Sequence, residues 1–382
     1  MNRMDCKAPV PPAVSSRQLK ADPSMSYEAV AFLYSECGQD TFGQRLSLIA
    51  TCSRRSVIRD DSKPLGYVHK VDISAMPDIS CAKIEVTHEV SPGLKAASQI
   101  TTVNEKLKAI GFDSGAVVAL SNFGPGKTFN CDVRGRLEHH SGQISCLASN
   151  SSGSQLASGC TSGTITLYQT RETDIAFLSK TNETRADYIT GLSYFKPEQA
   201  LSFGDGKKTK PLDDALLIYS STSGHVGLLD TRCNLANGIH SELVFLTDPT
   251  ISITSLAHSS SKPNYIYLGG LSGDILTCDL RARGKCLLRK KLEEDHCISK
   301  LKEVCLPGGE VDLPYLAYTN GSDRLRMLNI ETMTCEDDLL KCDRKPTEKI
   351  RDFVQVDDKL VTCGDNTSIG CWTFHRKGAQ IF

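Results

Sequence analysis

FDSGAVVALSNFGPGKT, residues 112–128, can be read toward two incompatible folds. Its tail, GPGKT, has the ending of a phosphate-cradling loop, whereas its head, DSGAVVAL, has the turn and outgoing strand of a β-hairpin. A P-loop requires G-x-x-x-x-G-K-[ST] between a strand and a helix, so that backbone N–H groups and the helix N-terminus hold the phosphates. Counting back from Gly126, Lys127 and Thr128, the first glycine position holds Ser121, and the following FNCDVRGRLEHHSG has no amphipathic helical period. The head therefore decides the fold. Gly115 permits the turn, Ala116, Val118 and Leu120 share one face of a strand, and GPG is the turn that leaves it.

Working outward, the same pattern of apolar strand, small polar turn with glycine and alternating strand recurs along the chain. It appears as LKAIGFDSGAVVAL (107–120), QLASGCTSGTITLY (155–168), LLIYSSTSGHVGLLD (216–230) and YIYLGGLSGDILTCD (265–279). Looser copies follow in YLAYTNGSDRLRMLN (315–329) and KLVTCGDNTSIGCWTF (359–374), and RLSLIATCSRRSVI (45–58) is a weaker first copy. The turn glycines Gly115, Gly163, Gly224 and Gly273 are 48, 61 and 49 residues apart. A further short strand precedes the later copies, in QISCLAS (143–149), YITGLSYF (188–195), SITSLAH (252–258), CISKLKEV (297–304) and KIRDFVQV (349–356). Four short strands per unit and a period near 45 residues predict an all-β chain closed as a seven-bladed propeller over residues 26–376. Residues 1–25 are expected as an extended arm and 377–382 as a short tail. If the last blade lacks an outer strand, residues 7–30 are candidates to supply it and remove an exposed edge. PEQALSFGDGKKTKPLDD (197–214) is a solvated insertion, or else a binding loop.

Composition excludes several classes of function. Lys and Arg number 44 against 45 Asp and Glu, so no whole-chain electrostatic footprint for nucleic acid or a membrane surface exists. The 16 cysteines contain no C-x-x-C pair, which argues against paired-ligand zinc and thioredoxin-like chemistry. MNRMDCKAPVPPAV has no apolar signal region, and reduced, buried thiols in cytoplasm or nucleus are expected. H-E-x-x-H, G-x-S-x-G and the kinase signatures are absent, so no catalytic, cofactor-binding or metal-binding residue is assigned. His139 and His140 alternate across a strand, which suits a buried imidazole hydrogen bond better than a shared metal. Asp230 and Asp279 end strands in LLDTR and TCDLR, where a carboxylate ties down a turn, and Trp372 is expected in blade packing. Acidic groups at Asp60-Asp61, Asp213-Asp214, Glu293-Glu294-Asp295, Asp337-Asp338 and Asp357-Asp358 fall between strands. They are either solubilising loops or an acidic rim that attracts Arg- and Lys-rich segments.

With the repeats laid out, the chain resembles a divergent WD-repeat protein. FDSGAVVAL, LLDTRC, SITSLAH with LGGLSGDILTCD, APVPPAV and IRDFV are similar to the WD-repeat subunit of the methylosome. That resemblance implies a seven-bladed WD-type propeller without catalysis of its own. It would bind a type II protein arginine methyltransferase in a hetero-oligomer and help present Arg-rich substrates such as histone tails and spliceosomal Sm proteins. In that family a first-blade loop inserts a Trp into the enzyme. The matching TCSRRSVIRDD has none, so Arg54, Arg55, Val57 and Ile58 stand where the anchor would be. For the basic substrates, the expected rim is Glu293, Glu294, Asp295, Asp337 and Asp338. LLDTR and TCDLR also resemble the WD-x-R element by which substrate receptors of cullin-type ubiquitin ligases dock their adaptor. A propeller enzyme would need converging polar side chains on the innermost strands, yet ITGLSYF, ITSLAH and ISCLAS are mostly small and apolar.

Overall fold

The structure is a computed structural model that describes residues 17–18, 25–37, 44–54, 66–72, 83–89, 96–121, 132–181, 187–195, 215–232, 241–246, 250–282, 285–292, 296–306, 313–322, 324–336, 339–344, 349–356, 359–365 and 369–374. These residues are almost entirely β, in antiparallel sheets that follow one another along the chain. The first sheet contains β1 (Arg17–Gln18), β2 (Met25–Cys37), β3 (Gln44–Arg54), β4 (Gly66–Asp72) and β5 (Lys83–Glu89), in the order β1-β5-β4-β3-β2. Next come β6 (Ala97–Thr102), β7 (Leu107–Phe112), β8 (Ala116–Ser121) and β9 (Asp132–Glu138), and then β10 (Ile144–Ser149), β11 (Gln155–Cys160), β12 (Ile165–Thr170) and β13 (Ile175–Lys180). They are followed by β14 (Ile189–Tyr194), β15 (Leu216–Ser221), β16 (His225–Asp230) and β17 (Ser241–Leu246), and by β18 (Ile253–His258), β19 (Tyr265–Gly270), β20 (Asp274–Asp279) and β21 (Lys285–Lys291). A three-stranded sheet of β22 (Lys300–Leu306), β23 (Leu313–Thr319) and β24 (Leu325–Asn329) precedes the last one. That sheet joins β25 (Leu340–Arg344), β26 (Ile350–Val356), β27 (Lys359–Gly364) and β28 (Ile369–Phe374) in the order β25-β28-β27-β26.

The opening hairpin is β7 turning into β8. Gly115 N–H donates to the Phe112 carbonyl at 3.0 Å, and its φ is 84°. Gly163, Gly224 and Gly273 repeat both features, closing a type I turn with a left-handed residue. A Cβ on Gly115 would lie 2.5 Å from the His140 carbonyl oxygen of the next sheet, so both φ and space demand glycine. GPGKT lies outside the described residues, but its flanks β8 and β9 are antiparallel neighbours rather than a strand and a helix. The 197–214 insertion, also outside them, connects β14 to β15.

The leading strands pack side by side. β6 contacts β10, β10 contacts β14, β14 contacts β18, β18 contacts β22 and β22 contacts β26, while β2 contacts both β6 and β26. Hydrophobic burial follows that order, because the apolar clusters sit between consecutive sheets. Ile144 packs with Leu107, Val117 and Tyr168, and Ile189 with Leu167 and Tyr219. Ile253 packs with Ile218 and Leu228, Ile298 with Tyr267 and Leu316, and Ile350 with Ala317, Met327 and Trp372. Burying each such isoleucine contributes about 1.5–3 kcal/mol.

One joint recurs where a sheet meets the next. β6, β10, β14, β18 and β26 each shift register one residue after their start, and the extra residue is Ser98, Ser145, Thr190, Thr254 or Arg351. At three of them the hydroxyl reaches a carbonyl of its own sheet and one of the next. Ser98 Oγ donates to Gly111 O (3.2 Å) and Ile144 O (2.6 Å), and Thr254 Oγ1 to Gly269 O (3.0 Å) and Ile298 O (2.8 Å). Ser145 does the same with Gly159 and Ile189. The isoleucine whose carbonyl is bound also covers the glycine. A Cβ on Gly111, Gly159 or Gly269 would lie 2.4–2.6 Å from Cγ2 of Ile144, Ile189 or Ile298.

The outer edge of the last sheet, where a strand from residues 7–30 is a candidate, is instead filled by β25, which pairs with β28. Of the N-terminal segment, Arg17–Gln18 pair with β5, and Met25 onward enters β2. The strand following β24 crosses to the neighbouring sheet and closes its edge, so β24 pairs with β23 on one side and, among the described residues, has the single bridge Leu328 to Cys335 on the other.

Gly269→Ala tests the joint. The new methyl meets Ser255 Oγ at 2.4 Å and Ile298 at 2.6–2.7 Å, so overpacking should cost about 1–3 kcal/mol, seen as a lower urea midpoint at unchanged slope. Gly270→Ala, whose nearest neighbour would be at 3.0 Å, should cost clearly less.

Candidate functional site

Two sets of side chains stand out once the sheets are assembled: a polar funnel where leading strands converge, and a pair of carboxylate-anchored arginines at strand ends. The funnel has a volume of about 430 Å³ and is lined from the starts of β6, β10, β22 and β26. Lys300 crosses it. Its Nζ donates to Gln99 Oε1 at 3.0 Å, although β6 packs beside β2 and β10 while β22 packs beside β18 and β26. Beneath it, buried Asp352 accepts from Lys302 Nζ at 2.8 Å and from the Phe353 N–H at 2.9 Å. Lys302 also donates to the Phe353 carbonyl and lies 5.0 Å from that ring's centroid. Burial works to raise the Asp352 carboxyl's pKa, but Lys302 and Lys300 outweigh it and hold the group below the usual range. At the rim, Arg351 Nε donates to Asp365 Oδ1 at 2.9 Å, and Lys349 and Gln143 are exposed.

The arginine pair has one geometry twice. Arg232 N–H donates to Asp230 Oδ1 at 3.0 Å and its Nε to the same oxygen at 2.8 Å, while Arg281 N–H reaches Asp279 Oδ1 at 2.9 Å and its Nη2 reaches Oδ2 at 2.8 Å. The aspartates are buried, whereas the arginine side chains are 56% and 42% exposed. Hydrogen bonding to Arg232 holds the Asp230 carboxyl below its ordinary value against the upward push of partial burial. Each carboxylate thus ties down the turn after its strand and aims a guanidinium outward.

The two histidines lie just past β9, in the connection to β10 and not on the strand expected of them, and they take different surroundings. His140 is buried, with Nδ1 3.0 Å from Thr164 Oγ1 and Nε2 2.6 Å from Ser158 Oγ, and Ser158 donates onward to Tyr168 Oη at 3.2 Å. His139 stacks against Phe177, ring centroids 4.3 Å apart. Cys160 joins the His140 network at 3.0 Å from Thr164 Oγ1. Burial would raise its thiol, but contacts with His140, Ser162 and Thr164 bring it down to about 6. At 0% exposure no substrate reaches that sulfur, so its role is structural. Trp372, likewise buried, donates from Nε1 to Thr362 Oγ1 at 3.1 Å.

Of the residues singled out for partner binding, Arg54 ends β3, and Arg55, Val57 and Ile58 lie outside the described residues. Glu293, Glu294, Asp295, Asp337 and Asp338 lie outside them too. The structure instead brings together Gln99, Lys300, Lys349 and Arg351, none of which sequence reasoning selected. Alternating charges in SKLKEV and KIRDF were the available signal. No protein-family model and no curated protein matches this chain.

Asp352→Asn should lower stability at neutral pH by about 2 kcal/mol, less than for a fully buried pair because Lys302 keeps 40% of its side chain exposed. A carboxyl whose folded pKa is depressed stabilises the fold above its unfolded value of about 3.9, and that contribution disappears as pH falls through the folded value. The gap between wild type and variant in urea midpoint should therefore be full at pH 7 and close below about pH 4.

Proposed function

We propose that the seven sheets are the blades of one closed WD-type propeller, and that this propeller is a non-catalytic scaffold. It binds a type II protein arginine methyltransferase and presents Arg-rich substrates such as histone tails and spliceosomal Sm proteins for symmetric dimethylation. The observation that carries the reading is positional. FDSGAVVAL, LLDTRC, SITSLAH with LGGLSGDILTCD, and IRDFV fall on or beside β7–β8, β16, β18–β20 and β26, that is on strands and hairpins of the second, fourth, fifth and seventh sheets in chain order. Their order along the chain and their placement on strands support the resemblance more than any one short segment does. The contacts of β2 with both β6 and β26 support closure, and the interlocked sheets suit a rigid platform whose variable loops carry recognition.

Affinity purification of the full chain from its own cells should recover an arginine methyltransferase in a large hetero-oligomer. A clean monomer accompanied by no such enzyme overturns the proposal. The twin Asp–Arg anchors favour a second reading, a substrate receptor of a cullin-type ubiquitin ligase. Arg232→Ala combined with Arg281→Ala separates the two: loss of adaptor association favours the receptor, whereas unchanged methyltransferase association favours the scaffold.

A further inference from the structure

The funnel at the start of β6, β10, β22 and β26 has a charge imbalance that the proposed function does not use. Among the described residues its lining contains three cationic side chains, Lys300, Lys349 and Arg351, against one carboxylate, Asp113. Arg351 is neutralised by Asp365. Lys300 is held by the neutral amide of Gln99, which occupies one of its three N–H donors, and shares with Lys302 the field of one buried carboxylate, Asp352, whose ion pair is with Lys302, so two ammonium groups face one carboxylate. Lys349 is exposed and has no ion-pair partner among the described residues. A volume of about 430 Å³ is too large for a single small ion and sufficient for side chains of a peptide.

The same level of the molecule carries exposed apolar groups. Asp113 N–H donates to Ala96 O and Asp365 N–H to Lys349 O, pairing a turn with the entry of a leading strand beside the funnel. Thr222 N–H to Tyr188 O and Leu271 N–H to Ser252 O are the same contact in the two sheets beyond β10–β13. Tyr188 and Leu271 are 55% and 56% exposed, large values for apolar side chains.

We propose that this mouth docks an acidic, leucine-bearing peptide segment of a partner protein, with one carboxylate seated between Lys349 and Lys300 and its apolar neighbours on Tyr188 and Leu271. Low-dielectric walls and two under-compensated ammonium groups select an anion, and an Arg-rich segment would be repelled from the same place. The inference is independent of the methyltransferase reading. A chain that binds the acidic peptide yet recovers no methyltransferase overturns that reading alone.

The test uses the full chain and a labelled, end-blocked dodecapeptide of glutamates with a leucine near each end, followed by fluorescence anisotropy at several salt concentrations. Binding should weaken as salt rises, and the glutamine counterpart of the peptide should not bind. Lys349→Glu and Lys300→Met should each weaken binding about tenfold, and Tyr188→Ala about threefold. Lys106→Glu should leave it unchanged, because Lys106 lies in the turn at the opposite end of β6 and pairs there with Glu172. No binding at low salt, or equal binding by wild type and Lys349→Glu, overturns the proposal. Lys349 is an exposed rim residue, so its variant stays decisive even if Lys300→Met fails to fold.

Discussion

The architecture depends on the joint between one sheet and the next. Its elements are a bulged hydroxyl residue, a glycine with no room for a Cβ and an isoleucine that supplies both a carbonyl for the hydroxyl and a side chain over the glycine. Each element answers a separate physical need. The bulge turns a polar side chain toward an edge that would otherwise leave carbonyls unpaired, and the glycine lets two backbones approach. The isoleucine then fills the space with apolar contact. Because the hydroxyl bonds to both sheets, their spacing is fixed by geometry more than by hydrophobic contact alone, which tolerates sliding.

Where that joint changes, the chemistry changes with it. At the start of β26 the bulged position holds Arg351 in place of a hydroxyl, and the guanidinium turns to Asp365 in its own sheet. In β26 the position after the bulge holds Asp352, whereas in β14 and β18 it holds Gly191 and Ser255; β22, which pairs without a register shift, begins at Lys300. Gly191 is small for a packing reason, since a Cβ there would lie 2.4 Å from Leu256. The leading strands therefore have small residues near their starts in β14 and β18 and charged ones in β22 and β26. Local departure from a repeated rule is where a functional surface is expected, and the funnel lies on that departure.

Much of this fold was legible in the sequence, because its strongest signals are local. Gly115, Gly163, Gly224 and Gly273 mark turns whose φ values favour glycine, and the strands flanking them are short apolar runs; the inward–outward alternation expected of them is absent, because they are buried on both faces between neighbouring sheets. The preceding short strands were visible for the same reason, and His140, Asp230, Asp279 and Trp372 occupy the structural roles their neighbours imply. What remained hidden depends on contacts between distant residues. β25 was not legible as the outer strand of the last sheet, because a five-residue segment states nothing about which of two edges it will join. Lys300 and Gln99, 201 residues apart, meet only because β6 and β22 face each other across the funnel.

ISCLAS, ITGLSYF and ITSLAH are mostly small and apolar, and β10, β14 and β18 carry no charged side chain apart from the terminal His258. The strands that matter for charge were SKLKEV and KIRDF, in which Lys300 and Arg351 stand near strand starts where other leading strands have serine, threonine or glycine, and SQITT, whose Gln99 meets Lys300. A chain with net charge −1 can hold such a concentration because balance over 382 residues says nothing about placement. Acidic pairs in the connections and cations at the funnel are then two parts of one distribution. An ammonium group held by a neutral amide, as Lys300 is by Gln99, is screened less than one on an open surface.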